Sequence, residues 1–415
     1  MGAKTSRHVR SYRCGGASVV VCEPRPDVYG HLLIEFMHGV AFARERETDL
    51  VFLQHRDALN SALFDLEADG MQIYRRGGKR LLTLAYDRLR QNRPTLIEFK
   101  RELSAELARL TPAKNLAKAE KSYLKELRTA LSGNRAAGPE SYYRRRTLAR
   151  PLGLRLRPEH ERAARAQAAR LGVDPEARIV CLHVRGRGYK RGREMEDKAG
   201  QRLDFTRNAS IENHLPACDR LVSDGYTIVR LGDASMPPLR RAGFVDLATS
   251  SELSGLLELY VMFRADLLIV GESGPNVLGY LTDTPILCVN ATDPISSYPI
   301  RSDGHILFKS ISDRKTDEPL RLSDLLGERY LPNVRDVLRF RYVENTPAEI
   351  DAAVHETQTW LRGERSESAR QEEFRVCATE AARAFAGLSY VNKWGADDGF
   401  LGHGRATDFQ LENRR

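Results

Sequence analysis

The chain predicts an α/β protein of two domains, each a parallel sheet with crossover helices. Three observations predict it. Apolar runs alternate with helix-like spans, the pattern of strands joined by crossover helices. Three of those runs break off abruptly into polar or glycine-containing turns: Ile179-Val180-Cys181-Leu182-His183-Val184-Arg185, Tyr226-Thr227-Ile228-Val229-Arg230-Leu231-Gly232-Asp233, and Leu267-Leu268-Ile269-Val270-Gly271-Glu272-Ser273-Gly274. And 415 residues exceed what one ordinary core organises.

Composition narrows the function classes. A hydrophobic content of 41% and a charged content of 29% fit a soluble globular chain. Lys and Arg number 65 against 56 Asp and Glu, a net charge of +9. That balance favours an anionic ligand but is too diffuse for nucleic acid, and aromatics do not interleave with the basic clusters. The six cysteines (Cys14, Cys22, Cys181, Cys218, Cys288 and Cys377) show no Cys-x-x-Cys spacing. Cys181 and Cys288 lie inside apolar strands as small buried thiols. A reducing, cytoplasmic compartment without zinc is the expectation. The first sixteen residues are polar and basic, unlike a signal peptide. No apolar run approaches the roughly 18 residues of a membrane span.

Taken in order, residues 1–16 read as a frayed tail and 17–22 as the first strand. Residues 23–27 form a turn with two prolines. Tyr29-Gly30-His31 then opens an apolar helix over 32–42, and 50–53 is a second short strand, completing one βαβ unit. His31 and Glu35 fall one helical turn apart on one face. With Asp27 they are the densest set of proton acceptors in this half, and an imidazole titrating near neutrality suits a general base. Residues 71–74 suggest a further strand. Residues 95–131 read as helices with solvated charged faces, 132–139 as a linker, and Arg144-Arg145-Arg146 as solvated surface.

The second domain begins near 151. A helix over 158–171 stops at Gly172. After the strand ending at Arg185 comes a basic, glycine-rich stretch, 186–193, in the position of a mobile loop or a phosphate lid. Ser210 is the expected N-cap of a helix over 211–224. Residues 246–248 read as the next strand, 253–264 as a helix, and 286–290 as the strand closing the sheet. Helices over 347–362 and 372–386 are expected to cross back to the first domain. Ligands of such sheets bind beyond the carboxyl ends of the strands. Here those ends carry Arg185, Arg230 and the Ser273-Gly274 turn. Two bidentate forks and a helix-opening turn describe a site for a diphosphate.

His183-Val184-Arg185, Arg207-Asn208, Arg230-Leu231-Gly232, Gly271-Glu272-Ser273-Gly274 and Val289-Asn290 occur in that order. This series resembles a bacterial glycosyltransferase family found with surface-polysaccharide genes. The His-x-Arg element is also similar to that of α1,6- and O-fucosyltransferases. Tyr29-Gly30-His31-Leu32 resembles an Ile-Gly-His-Leu turn of the same bacterial family. The resemblance covers roughly residues 17–60 and 178–310. It departs at Gly186, where the bacterial pattern has Asp.

The resemblance implies a GT-B fold, two Rossmann-like domains facing each other across a cleft. The domains would be 1–150 on the acceptor side, 151–345 on the donor side, and 346–415 crossing back. It implies transfer from a UDP- or GDP-type sugar to a glycan, lipid-linked or small-molecule acceptor, by an inverting route without a metal. The donor-binding set is then Arg185, Arg207, Asn208, Arg230, Gly232, Glu272, Ser273, Gly274, Asn276 and Asn290. His31, Glu35 and Asp27 form the catalytic set. No cofactor beyond the donor nucleotide sugar and no nucleic acid is expected, and peripheral membrane association is compatible with the basic balance. Asp-x-Asp spacing is missing from 178–290, in line with charge stabilisation by arginine. A degenerate glycosyltransferase that binds nucleotide or phosphate without catalysis is the alternative that Gly186 invites. A dehydrogenase is not, since neither strand–helix junction offers Gly-x-Gly-x-x-Gly.

Overall fold

The structure is a computed structural model. It describes residues 9–14, 17–22, 24, 26, 28–54, 58–71, 73–77, 145–186, 204–388 and 400–414. Asp27, the expected helices over 95–131, the linker 132–139 and most of the basic stretch 186–193 lie outside the described residues. The chain divides into two compact units. One is Met1–Thr147 with Leu152–Pro158, the other Leu148–Pro151 with Glu159–Arg415.

The first unit carries β1 (Val9–Cys14), β2 (Ala17–Cys22), α1 (Tyr29–Glu45), β3 (Asp49–Gln54), β4 (Glu67–Ala68) and β5 (Ile73–Gly77). Its main sheet has the order β1-β2-β3-β5. β2, β3 and β5 run parallel. β1 is the addition the sequence reading did not expect: residues 9–14 are no frayed tail but pair antiparallel with β2 along their whole length. Their separation by Gly15-Gly16 is a hairpin signal. From Leu32 to Ala43, α1 is buried at every position; apart from Glu35 and His38 these residues are apolar or glycine, as burial on all sides requires. Gly39 permits this, since a Cβ there would stand 2.9 Å from Cys22 Sγ on β2. Phe36 stacks on Phe52 of β3 at 4.2 Å between centroids, and Phe64 meets both rings edge-on.

Next along the chain come α2 (Arg145–Leu148), β6 (Leu154–Arg155), which pairs with β4, and α3 (Pro158–Arg170). The second unit then runs β7 (Arg178–His183), α4 (Leu215–Ser223), β8 (Tyr226–Arg230), β9 (Phe244–Asp246), α5 (Gly255–Arg264), β10 (Ala265–Val270), α6 (Asn276–Leu281), β11 (Ile286–Ala291) and β12 (His305–Phe308). It ends with the antiparallel pair β13 (Ser310–Asp313) and β14 (Phe340–Val343), then α7 (Pro347–Leu361), α8 (Ala369–Ala384), β15 (Arg405–Ala406) and α9 (Asp408–Asn413).

Seven strands form one sheet in the order β15-β12-β11-β10-β7-β8-β9. Every pairing in it is parallel. Its strands read as unbroken apolar runs because helices cover both faces. On one face, Val180, Leu182, Ile228, Leu267, Ile269 and Leu287 pack with Ala217 and Leu221 of α4 and with Ile350 and Val354 of α7.

Three expectations shift here. The strand anticipated at 246–248 is β9, two residues earlier, and Leu247 and Ala248 follow it as a buried turn. β11 does not close the sheet, because β12 and β15 extend it. Of the stretch 346–415, expected to cross back to the first domain, residues 346–388 and 400–414 build into the second unit. α7 covers its sheet and β15 becomes its edge. The glycines of the tail explain the fit. A Cβ on Gly402 would stand 2.2 Å from the Pro299 carbonyl oxygen, so only glycine lets the chain pass so close.

Candidate functional site

Counted along the chain, the second sheet runs 3-2-1-4-5-6-7 from β9 to β15. β7 is its first strand. β8 and β9 lie to one side of it, β10, β11, β12 and β15 to the other. The connections therefore depart in opposite directions at β7 and β10, which opens a crevice beyond their carboxyl ends. The two strands end level: His183 is register partner of Val270, and Gly271 N–H donates to the His183 carbonyl at 3.3 Å.

His183 and Ser273 meet there, with His183 Nδ1 3.3 Å from Ser273 Oγ. The imidazole is buried, and burial pushes it down to about 4. The Asp233 carboxylate opposes that shift, while the Arg185 and Arg230 guanidiniums reinforce it. The ring is neutral at pH 7, so the pair is an ordinary hydrogen bond. His183 is absent from both residue sets expected from the sequence. The signal available was its place as the last residue of an apolar run at the switch point.

The turn over 206–210 lies across the ends of β7 and β10. Ala209 N–H donates to the Arg185 carbonyl at 3.1 Å, and Asn208 N–H to Phe205 at 2.9 Å. Arg207 Nη1 donates to the Glu272 carbonyl at 3.2 Å, next to Ser273. Lys309, just past β12, donates its Nζ to the Asn208 carbonyl at 2.7 Å, and Glu344 accepts from Ser210 N–H at 2.7 Å. Ser210 caps the turn ahead of α4, its Oγ accepting from Glu212 N–H at 3.3 Å, as its position predicted. These bonds bring Arg207 and Asn208 to the same crevice as buried Arg185 and the His183–Ser273 pair. The buried Oδ1 atoms of Asn208 and Asn276 accept no hydrogen bond among the described residues. Ser273 and Gly274 form the turn into α6, their carbonyls accepting from Asn276 and Val277.

Four residues of the expected donor set are engaged within the protein. Arg230 is buried at the end of β8. It pairs with Asp246 of β9 at 3.1 Å and donates to the Pro237 carbonyl at 2.8 Å. Glu272 accepts from Thr292 N–H at 2.8 Å and Thr292 Oγ1 at 2.6 Å, and it pairs with Arg335. Asn290, at φ +56°, exchanges two bonds with Asn345: each backbone N–H donates to the other's Oδ1, at 2.8 and 2.7 Å. Gly232 makes room for Met236, whose Sδ would stand 2.3 Å from a Cβ there. All four shape the rim of the crevice. No sequence pattern announced their partners, which lie up to 63 residues away.

In the first unit, His31 sits half-buried in the first turn of α1 and Glu35, one turn on, is buried. His38 continues that polar stripe and was not anticipated. Burial pushes it down to about 3.

No family model matches the chain, and no curated protein does. Among solved structures, it is similar to the ADP-heptose lipopolysaccharide heptosyltransferase II of E. coli. That match has 13% identity, a TM-score of 0.40, and covers 83% of this chain and 99% of the other. A glycosyl transferase of family 9 from Veillonella parvula DSM 2008 matches at 11% identity and a TM-score of 0.33, over 65% of this chain and 79% of the other. The α-1,6-fucosyltransferase NodZ, soaked with GDP-fucose, matches at 13% and 0.29, over 65% and 93%.

Proposed function

We propose that this chain is a glycosyltransferase of GT-B type that takes a sugar from a nucleoside-diphosphate donor of UDP or GDP type. The acceptor is a glycan, a lipid-linked glycan or a small molecule. One observation carries the reading: arginine and hydroxyl groups from three separate segments converge at the switch point of a parallel sheet. Arg185 follows β7, Arg207 sits on the turn, and Ser273 follows β10. A diphosphate there meets guanidinium forks and a hydroxyl. Charge accumulates on the diphosphate as the glycosidic bond breaks, and fixed donors aimed at it stabilise that charge without a metal. Asn208, Gly274 and Asn276 line the same crevice, and Arg230, Gly232, Glu272 and Asn290 hold its shape.

The acceptor hydroxyl must lose a proton as it attacks the anomeric carbon. In this reading His31 accepts it and Glu35 orients the ring, with Asp27 the other candidate on that side. Attack opposite the leaving diphosphate gives inversion. The test is a panel of ADP, GDP, UDP, CDP and dTDP sugars, read by thermal shift and by mass spectrometry of released nucleotide, with and without excess EDTA. One nucleotide class should raise the melting temperature, and its sugar should be transferred or hydrolysed equally well in EDTA. Binding without turnover would leave the non-catalytic alternative, which Gly186 favours. Absence of any thermal shift would sink both.

A further inference from the structure

Lys309 is nearly enclosed, with 4% of its surface exposed, where the chain leaves β12. Its backbone N–H continues the sheet pairing to the Ala291 carbonyl at 2.9 Å, so its main chain is fixed. Its Nζ lies 2.7 Å from the Asn208 carbonyl, 101 residues earlier. An ammonium carries three N–H donors, and among the described residues one of them is used. The charged group that faces it is Glu344, whose carboxylate also accepts from Ser210 N–H and from Asn213 Nδ2. Just past α9, Arg414 donates to the neighbouring Phe308 carbonyl at 2.9 Å, and its charge is met by Glu349 of α7. Lys309 and Glu344 thus grip the 206–210 turn from either side of Ala209, which is itself tied to β7.

We propose that Lys309 is the positioning residue of this site: through the Asn208 carbonyl its ammonium holds the turn that presents Arg207 and Asn208 to a nucleoside diphosphate, so donor affinity follows the charge on Lys309. This rests on the donor reading above. Burying an ammonium with a single carbonyl acceptor is unfavourable unless other negative charge is close. A diphosphate in the crevice supplies that charge, so anion binding and protonation of Lys309 reinforce each other. In the unliganded protein burial pushes the ammonium down to about 8, against a smaller upward pull from Glu344. The sign follows. Below that value the lysine is charged and the turn is held. As pH rises through it, the charge is lost and affinity falls.

The experiment is isothermal titration with ADP, GDP and UDP from pH 7 to 9.5 on the full chain, on Lys309→Met and on Glu344→Gln. Wild type should bind one of these nucleotides about tenfold more weakly at pH 9.5 than at pH 7. Lys309→Met should bind at pH 7 as weakly as wild type does at pH 9.5, and its profile should be flat. Comparison of the two removes any contribution from ionisation of the base. Glu344→Gln keeps an acceptor for Ser210 N–H but removes the charge, so the wild-type midpoint should move to lower pH. That arm stands even if Lys309→Met does not fold. A flat wild-type profile, an unchanged profile in Lys309→Met, or an unmoved midpoint in Glu344→Gln would each overturn the inference while leaving the donor reading intact. Failure of wild type to bind any of the three nucleotides would overturn the donor reading itself, and the inference with it.

Discussion

Because burial holds the His183 imidazole near 4, Ser273 faces an uncharged partner at pH 7. With the ring proton on Nδ1, the imidazole donates to Ser273 Oγ, and the serine O–H is left to donate into the crevice. That polarity suits a phosphate oxygen. Donor and base roles then separate by residue. Arg207→Ala should weaken nucleoside-diphosphate binding by roughly 2–4 kcal/mol, the range for a lost charge-assisted contact. His31→Ala should leave that affinity unchanged and lower kcat by about 10²- to 10⁴-fold, the usual worth of a general base. Titration calorimetry and steady-state kinetics on both variants check this, and a His31→Ala enzyme with normal kcat would remove the histidine from the mechanism. Much of this site was legible in sequence order, because strand ends and turns carry their residues at readable positions. Its bonding was not. Glu272 looks like a ligand contact until Thr292 and Arg335 occupy it, and a lone lysine after a short strand reads as surface until its burial is seen.

Among elements, β7, β8 and β10 were readable because strands buried on both faces are continuous apolar runs. β15 was not. It has two residues, Arg405 and Ala406, and its place at the sheet edge depends on contacts about 100 residues back in the chain: Arg405 N–H donates to the Gly304 carbonyl and Thr407 N–H to Ile306. β1 escaped for a related reason, since Val-Arg-Ser-Tyr-Arg-Cys carries little apolar signal and is recruited by pairing. The edge strand is also the element most open to test. Gly402→Ala sets a Cβ against the Pro299 carbonyl and 3.0 Å from Ile300 Cα, both backbone atoms that cannot rotate away. Overpacking of this kind destabilises by about 1–3 kcal/mol. Hydrogen exchange at Arg405 and Thr407 should accelerate in the variant while the amides of β7 and β10 stay protected. Equal acceleration throughout the sheet would mean that the tail is integral to the cooperative unit rather than docked on its edge.

For the second unit as a whole, buried histidines set the response to acid. In the second unit His183, His214 and His305 are all buried, and burial pushes them to about 4, 4 and 3. His305 sits at the start of β12, edge-on to Trp360, and the cations of Arg405 and Arg365 lower it further. Each ring stays neutral in the folded state and ionises near its ordinary value of 6.5 once unfolded. Stability is therefore full above that value and declines as pH falls from it towards about 4. At pH 5.5 each ring lowers stability by about 1.4 kcal/mol, and three independent rings by about 4 kcal/mol. That is a large share of a typical net stability of roughly 5–15 kcal/mol. Buried Glu356 and half-buried Asp303, both raised by desolvation, act in the opposite sense. Carboxylates held low by arginine, such as Asp219 and Glu364, are lost only at more acid pH. The interval from pH 7.5 to 5.5 thus isolates the histidines. Denaturant unfolding should show the midpoint falling across it, and His305→Leu should remove about a third of that fall. An unchanged midpoint in wild type would mean that these rings are solvated in the folded protein.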